Sequence, residues 1–256
     1  MRIVITQPTY LPWLGYFDLI DQVDTFVVLD TVQFEKQSWQ QRNRIKTPSG
    51  LQWLTVPVVF RGRLDQQIRD VEIRDASFSA KHLRALELNY ARAPHFRAHY
   101  AAVCSILQEI QNSSPLIDLN LALLRWLLDF LGVRTPLVLA SSLAQEGKRT
   151  RLLANICKVL GAAEYLSPIG SAEYLLPELK FFSDDKIDVR FHNYVHPEYR
   201  QLFPPFLPFA STIDLIFNEG DRAMEIIRSG RYQPFSSQEM TTRLAAAAQI
   251  SATKEA

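Results

Sequence analysis

Two groups suited to acid–base work are set into apolar surroundings in this sequence. Asp30 comes straight after Val27, Val28 and Leu29 in TFVVLD. Such a carboxylate must be paired, hydrated at a sheet rim, bound to a ligand, or used to N-cap the next segment. His82, in FSAKHLRALELNY, follows an expected helix start, where it is either an exposed first-turn residue or a general base or phosphate contact. Anion recognition has its own candidates in RNRIK. Strand periodicity puts Arg42, Arg44 and Lys46 on one face and Asn43 and Ile45 on the other. That row of cations suits a phosphate, a carboxylate, a nucleic-acid backbone, or simply solvent. Ligand-orienting amides and hydroxyls occur at Gln7, Tyr10 and Tyr16 in ITQPTYLPWLGYF, where Pro8 and Pro12 stiffen the loop. The Gln7 amide could equally cap the loop's own backbone, and the aromatic rings there are expected to pack.

Metal chemistry is not expected. His95 and His99, and again His192 and His196, are four residues apart, but neither pair carries the glutamate of a helical H-E-x-x-H motif or a nearby Cys or acidic pair. Cys104 and Cys157 fall on apolar helical stripes, which makes them packing residues. With 28 basic against 27 acidic side chains, the chain lacks the electrostatic footprint of a dedicated nucleic-acid binder. Two cysteines and no apolar leader at MRIVITQP predict a cytoplasmic protein without a disulfide framework. The most apolar stretch, residues 116–132, contains Asp118, Arg125 and Asp129 and is too short to span a bilayer, so no membrane insertion is expected.

The elements that must position these groups follow from hydrophobic patterning. RIVIT, TFVVLD, PLVLAS, AEYLS and KIDVRF alternate with helical segments. Continuous Val, Ile and Leu runs mark strands covered on both faces. The expected fold is therefore α/β: Rossmann-like, three-layered and mostly parallel, with an inserted β-hairpin and a helical block. A single α/β domain is predicted over 1–235, with the hairpin at about 42–59 around Pro48-Ser49-Gly50 and the helical block at about 77–131. Residues 236–256 should form a peripheral helix and a frayed tail. Ser114 and Pro115 look like the N-cap and first residue of one helix, and Ser211 with Asp214 has capping-box spacing for another. In an open α/β sheet ligands bind outside the carboxyl ends of the strands. That rule gathers Gln7 to Tyr10, Asp30, Gln33, Ser141, Ser142, Ser167 and His192 at one edge. The Pro-rich loop of Tyr199 and Gln201 feeds a capped helix, a common way to meet an anion.

Six blocks in order, ITQPTYLPWLGYF, DTFVVLDTVQFEK, RNRIKTPSGLQWLTVPV, KHLRALELNYARAPHF, ICKVLGAAEYLSPIG and FASTIDLIFNEG, resemble the WbqC-like family of bacterial proteins across most of residues 1–220. The chain departs from the family pattern at Ser167-Pro168, at Arg200 and at Ala210. The family's members are associated with O-antigen and other surface-polysaccharide clusters, and some are named as glycine or acyl transferases acting on amino sugars. By position, the family motif falls on Gln7, Pro8, Tyr10, Asp30, Gln33, Arg42, Asn43, His82, Tyr90, Tyr165, Gly170, Gln201 and Asp214. The resemblance implies an acyl or aminoacyl transferase that forms an amide on an amino sugar. It would use an acyl thioester, from CoA or an acyl carrier protein, or a nucleotide-linked cosubstrate, and no tightly bound cofactor. Asp30 or His82 would be the base, Arg42 and Asn43 would hold a phosphate or oxyanion, and Gln7 and Tyr10 would orient the acceptor. Two other readings stay open: a nucleotide-dependent ligase or nucleotidylyl transferase, although the histidines of its first-loop signature are missing, and a non-catalytic binding protein of a polysaccharide pathway.

Overall fold

In the computed structural model, which describes residues 1–63, 65–144 and 146–254 with side chains through 249, each of the five apolar runs forms a strand. The first unit is β1 (Arg2–Thr6), α1 (Leu14–Asp21) and β2 (Thr25–Val28). Next come the hairpin strands β3 (Arg42–Thr47) and β4 (Gly50–Thr55), then helices α2 (Phe78–Tyr90), α3 (Phe96–Gln108) and α4 (Leu116–Phe130). The βα alternation resumes with β5 (Leu137–Leu139), α5 (Thr150–Val159), β6 (Glu164–Ser167), the single-turn helices α6 (Ala172–Leu175) and α7 (Lys180–Ser183), and β7 (Asp188–Phe191). The chain closes with α8 (Thr212–Glu219), α9 (Ala223–Ser229), a two-residue strand β8 (Phe235–Ser236) and α10 (Ser237–Lys254). Residues 255 and 256, the end of the expected frayed tail, lie outside the described residues.

The main sheet runs β5-β2-β1-β6-β7-β8. Every neighbouring pair is parallel except β7 with β8. The five parallel strands thus have the doubly wound Rossmann order, with chain order reversing between β1 and β6. Alternate residues explain the layers. Val4, Phe26, Val28 and Leu166 face a core built with α1, α4, α8 and α9. Ile3, Ile5, Val27, Val189 and Phe191 face the opposite core, which α5, Leu175, Phe182 and Met240 complete. The hairpin and the helical block enclose a further core, where Ile45 and Leu54 meet Leu83, Leu86, Val103 and Leu107. Helix α4 serves both neighbours: Ile117, Leu121 and Leu124 pack toward the sheet, while Leu116, Leu119 and Leu123 pack toward the hairpin. That double burial explains a helix that is apolar nearly all round.

Local chemistry departs from expectation at three points. Helix α4 starts one residue late, with Pro115 as its N-cap. The Ser114 hydroxyl instead accepts a hydrogen bond from the Gln111 amide. Ser211 does cap α8, accepting from the Ile213 amide at 3.3 Å, but Asp214 does not close a capping box. The Ser211 amide donates to the Arg44 carbonyl, and the Asp214 carboxylate turns inward to Tyr90 and Tyr199. Lys46 drops out of the row of exposed cations. At 1% exposure its ammonium reaches the Thr47 carbonyl, because α2 packs over that end of β3 and the Tyr90 hydroxyl accepts from the Lys46 amide.

Candidate functional site

The turn after β1 is anchored on three sides. The Tyr10 amide donates to the Trp39 carbonyl. The Asn43 side chain donates to the carbonyls of Tyr10 and Leu11 at 3.2 and 2.7 Å and accepts from the Arg44 amide. The Tyr16 hydroxyl donates to the Gln7 carbonyl at 3.1 Å. Leu11 takes a positive φ of 45°, an uncommon state for a side chain of its size, and the Asn43 clamp on its carbonyl helps hold it there. Gly15, in the first turn of α1, has a packing role. A Cβ at this position would lie 2.2 Å from the Trp13 ring, so only glycine lets that indole fold across the start of the helix.

These contacts shape a cleft of about 820 Å³ at the carboxyl ends of β1, β6 and β7, at the point where chain order reverses. Gln7, Gln40, Gly170, His192 and Tyr194 line it, and so does Arg243 of α10. A second cleft of about 500 Å³, bordered by Arg149 and Thr150 at the start of α5, shares Gln7, Leu29, Leu153 and Tyr174 with the first. Gln7 carries its side chain to the rim, where its carbonyl oxygen accepts from Gln40 at 2.8 Å. Asp30 lies at the adjacent strand tip, where the Leu29 amide donates to the Thr6 carbonyl.

His192 is the titratable group in the main cleft with the most developed support. Its Nε2 lies 2.7 Å from Asp18 Oδ2, and its ring stacks on Tyr194 at 5.5 Å between centroids. Asp18 is 0% exposed, in the middle of α1. Its carboxylate also accepts from Arg231 Nε and from Gln22, each at 2.7 Å. Arg231 continues to Asp21, which Arg228 grips through two nitrogens at 2.9 and 2.7 Å. Burial works to raise the Asp21 carboxyl, but the bonds and charges of Arg228 and Arg231 outweigh it and hold the group below its ordinary value. A neutral imidazole that donates Nε2–H to the Asp18 carboxylate keeps its lone pair on Nδ1. Nδ1 has no hydrogen-bond partner among the described residues. Tyr194, which lies against this ring, has a buried hydroxyl with no partner, and burial pushes it well above the usual tyrosine range.

The sequence candidates divide between this edge and the neighbouring core. Gln7 lines both clefts. Asp30 is buried beside them, accepting from the Ser141 amide at 2.9 Å. Gln33 lies exposed beyond β2, in an isolated bridge with Gln67. Tyr10 and His82 sit behind the opening loop, hydroxyl to Nδ1 at 2.8 Å, and burial holds the His82 ring down at about 4. Arg42 lies over the Trp53 ring at 4.3 Å, on the hairpin face beside the cleft. The buried amide of Asn43 is engaged by backbone on both its atoms. Gln201 and Asp214 belong to a separate buried knot. Tyr90, Tyr199 and Gln201 donate to the Asp214 carboxylate at 2.7, 2.7 and 3.0 Å, and burial still lifts that carboxyl above its ordinary value. The structure therefore does not bring Tyr10, Asn43, His82, Gln201 or Asp214 to the cleft, and Asp30, Gln33 and Arg42 do not line it. Asp18 and Arg231 escaped the sequence reading. Their one local signal is a carboxylate in the apolar helix LGYFDLI, while its arginine partner lies 213 residues away. Among the described residues no cluster of three or more His, Cys, Asp or Glu could hold a metal ion, and no helix is long and apolar enough to cross a membrane.

The model of the WbqC-like protein family matches residues 7–226, a span that contains Asp18 and His192 and stops short of Arg228, Arg231 and Arg243. A protein of Mycobacterium tuberculosis (strain ATCC 25618 / H37Rv), Rv1507c, named only as uncharacterized, is 38% identical over 228 residues, covering 89% of this chain and 97% of its own length. No solved structure matches.

Proposed function

The chain belongs to the WbqC-like protein family, and from that premise we propose that it is a transferase that moves an acyl or aminoacyl group onto the amine of a small acceptor. The acceptor class is a nucleotide-linked amino sugar, the donor a thioester of CoA or of an acyl carrier protein, and the setting surface-polysaccharide biosynthesis. The observation that carries the reading is the chain Arg231–Asp18–His192 ending in the 820 Å³ cleft at the reversal of the sheet.

Amide formation from a thioester needs a base for the amine and a positive or hydrogen-bonding group for the tetrahedral oxyanion. The amine lone pair forms the new C–N bond, and His192 Nδ1 takes a proton from that nitrogen. Asp18 holds the ring in the required tautomer and stabilises the imidazolium. As the C–S bond breaks, the same proton passes to the departing thiolate. Arg243, a cation lining the cleft and seated over Phe235 at 4.4 Å, faces the oxyanion. Gln7 and Gln40 orient the acceptor. The site has no role for Cys157, since burial lifts that thiol far above the range of a nucleophile.

The test pairs acetyl-, glycyl- and longer acyl thioesters with nucleotide-linked amino sugars and reads amide product by mass. Product from the wild type, reduced about 10²–10⁴-fold in His192→Gln, supports the reading. Equal product from His192→Gln, or product that is lost with His82→Gln instead, overturns the assignment.

A further inference from the structure

We propose that the groove beside the cleft mouth, lined by Trp13, Trp39, Arg44 and Phe209 and flanked by Trp53 and Arg42 of the hairpin, binds the nucleoside diphosphate portion of a ligand, with its base on the exposed indoles and its phosphates on the two hairpin guanidiniums. The inference rests on the acceptor reading above only for what that ligand delivers to His192.

The usual phosphate position of this fold is closed here. In a doubly wound sheet the diphosphate sits on free amides at the start of the first helix, reached through a glycine-rich turn. The corresponding turn here, Gln7-Pro8-Thr9-Tyr10-Leu11-Pro12, contains no glycine. The Trp13 indole lies across the first turn of α1, directly over Gly15. A phosphate must therefore find cations on the rim.

The hairpin supplies them in a fixed arrangement. Arg42 lies over Trp53 at 4.3 Å, and Arg44 sits 5.4 Å from both Trp53 and Trp39. The two indoles are 5.3 Å apart. Among the described residues neither guanidinium has a carboxylate partner, and the Nε of each is buried without a hydrogen-bond acceptor. Arg44 is held at both ends, because its amide donates to Asn43, its carbonyl accepts from Ser211 and its guanidinium donates to the Phe209 carbonyl at 3.4 Å. Two held, uncompensated guanidiniums match an anion with several oxygens. Trp39, Trp53 and Phe209 remain 47%, 41% and 47% exposed, far more than folding alone requires of such rings. Flat aromatic faces beside arginines are the chemistry that holds a nucleobase.

Position supports the same occupant. The groove, about 390 Å³ and lined by Thr9, Trp13, Trp39, Arg44 and Phe209 with no acidic residue, shares Thr9, Trp13 and Trp39 with the main cleft. From His192 the path runs through Tyr194 to Trp13, in ring steps of 5.5 and 5.7 Å, and Trp13 then meets Phe209 at 5.5 Å. A group attached to the terminal phosphate would lie toward the imidazole.

Three of the chain's four tryptophans, Trp13, Trp39 and Trp53, stand at this site, so intrinsic fluorescence reads occupancy without any turnover assay. The full chain is titrated with UDP, dTDP, GDP and ADP, then with the matching nucleosides and with inorganic pyrophosphate. At least one diphosphate is expected to quench saturably. Its nucleoside and pyrophosphate should each bind at least about tenfold more weakly. Arg44→Gln and Arg42→Gln should each weaken the diphosphate about tenfold or more, with circular dichroism and Tm unchanged enough to show a folded hairpin. Absence of saturable quenching by any diphosphate overturns the proposal. So does a loss of binding that follows Arg149→Gln or Arg243→Gln while Arg44→Gln binds normally. Arg44-dependent binding without amide formation would sink the transferase reading and leave this site standing; His192-dependent transfer that ignores Arg44 and Arg42 would do the reverse.

Discussion

Replacing Asp18 by asparagine isolates what this carboxylate does for His192. Asp18 accepts three hydrogen bonds, from His192, Arg231 and Gln22, all at 2.7 Å. Asparagine has nearly the same shape. Its oxygen can still receive Arg231 Nε, and the Gln22 amide can rotate to present its own oxygen. At His192, however, the new NH₂ faces Nε2, and the pair bonds again only if the imidazole shifts its proton to Nδ1. Stability should fall only in part, since hydrogen bonds remain and Arg231 keeps Asp21. Turning three bonds to a carboxylate into neutral ones costs about 2–4 kcal/mol, which for a chain of this size lowers Tm by roughly 4–16 °C. Turnover should instead collapse by the full worth of a general base, about 10²–10⁴-fold, because the nitrogen facing the acceptor no longer has a lone pair. Asp18→Ala is the contrast. It leaves Arg231, His192 and Gln22 short of a partner in a buried site and should cost about 3–5 kcal/mol. The tautomer itself is read by long-range ¹H–¹⁵N correlation on histidine-labelled protein. The wild type should show His192 protonated on Nε2 and Asp18→Asn should show it on Nδ1. A wild-type ring protonated on Nδ1, or an Asp18→Asn variant that turns over within about twofold of wild type, would refute the reasoning.

Three further outcomes follow from other parts of the molecule. His82 is held down at about 4 by burial, although a hydrogen bond from its ring to the Thr55 backbone carbonyl works the other way. The unfolded chain therefore binds a proton that the native state refuses between pH 6.5 and about 4. The stability contributed is whole above pH 6.5 and is lost as pH falls through that window, by about 3 kcal/mol; urea unfolding at stepped pH should show a flatter slope for His82→Gln than for wild type. Gly15→Ala should push the Trp13 ring off the start of α1, cost about 1–3 kcal/mol as an overpacking change, and alter the tryptophan emission. Tyr90→Phe removes the donor to Asp214 and the acceptor of the Lys46 amide. Chemical denaturation should show a loss of about 2–4 kcal/mol, and a double-mutant cycle with Tyr199→Phe should be non-additive because both hydroxyls serve one carboxylate.

How far the sequence carried depended on the distance over which each constraint acts. Strands β1 and β2 were legible because burial on both faces writes a nearly unbroken apolar run, while β5, β6 and β7 are short, less completely buried stretches that showed through their alternation with helical segments. The edge of the sheet followed from those runs, and with it the neighbourhood of Gln7, Asp30, Ser167 and His192. What could not be read locally was which titratable group the edge would equip. Asp30 looked exposed to function because it ends an apolar run, but the amide that satisfies it comes from Ser141. His82 looked like a surface histidine or a base, yet its helix lies against the back of the opening loop, and Tyr10 closes it off. Lys46 obeyed the strand alternation and still ended up enclosed, since α2, more than thirty residues on, covers its end of the hairpin. The Asp18–Arg231 pair joins opposite ends of the chain, so no window of the sequence contains it.

The opening loop shows why this site relies on side chains for its charge. A glycine-rich turn would have offered backbone amides and a helix dipole to any phosphate, with little to distinguish one phosphorylated ligand from another. Here the proline-stiffened turn is clamped by Asn43 to the hairpin, and Trp13 covers the helix start. Positive charge at this rim then comes from particular arginines: Arg44 and Arg42 on one side of Trp13, and Arg243 within the cleft. A side-chain guanidinium fixed by stacking sets both distance and direction, whereas a dipole sets mainly sign. If that division is correct, neutralising Arg44 should relax which phosphorylated ligand is accepted and leave the Nε2-protonated His192 tautomer untouched. Neutralising Arg231 should disturb that tautomer and leave ligand choice intact. A single variant that moved both properties together would mean the two charged systems are one, and the separation of binding from proton transfer argued from Trp13 would fail.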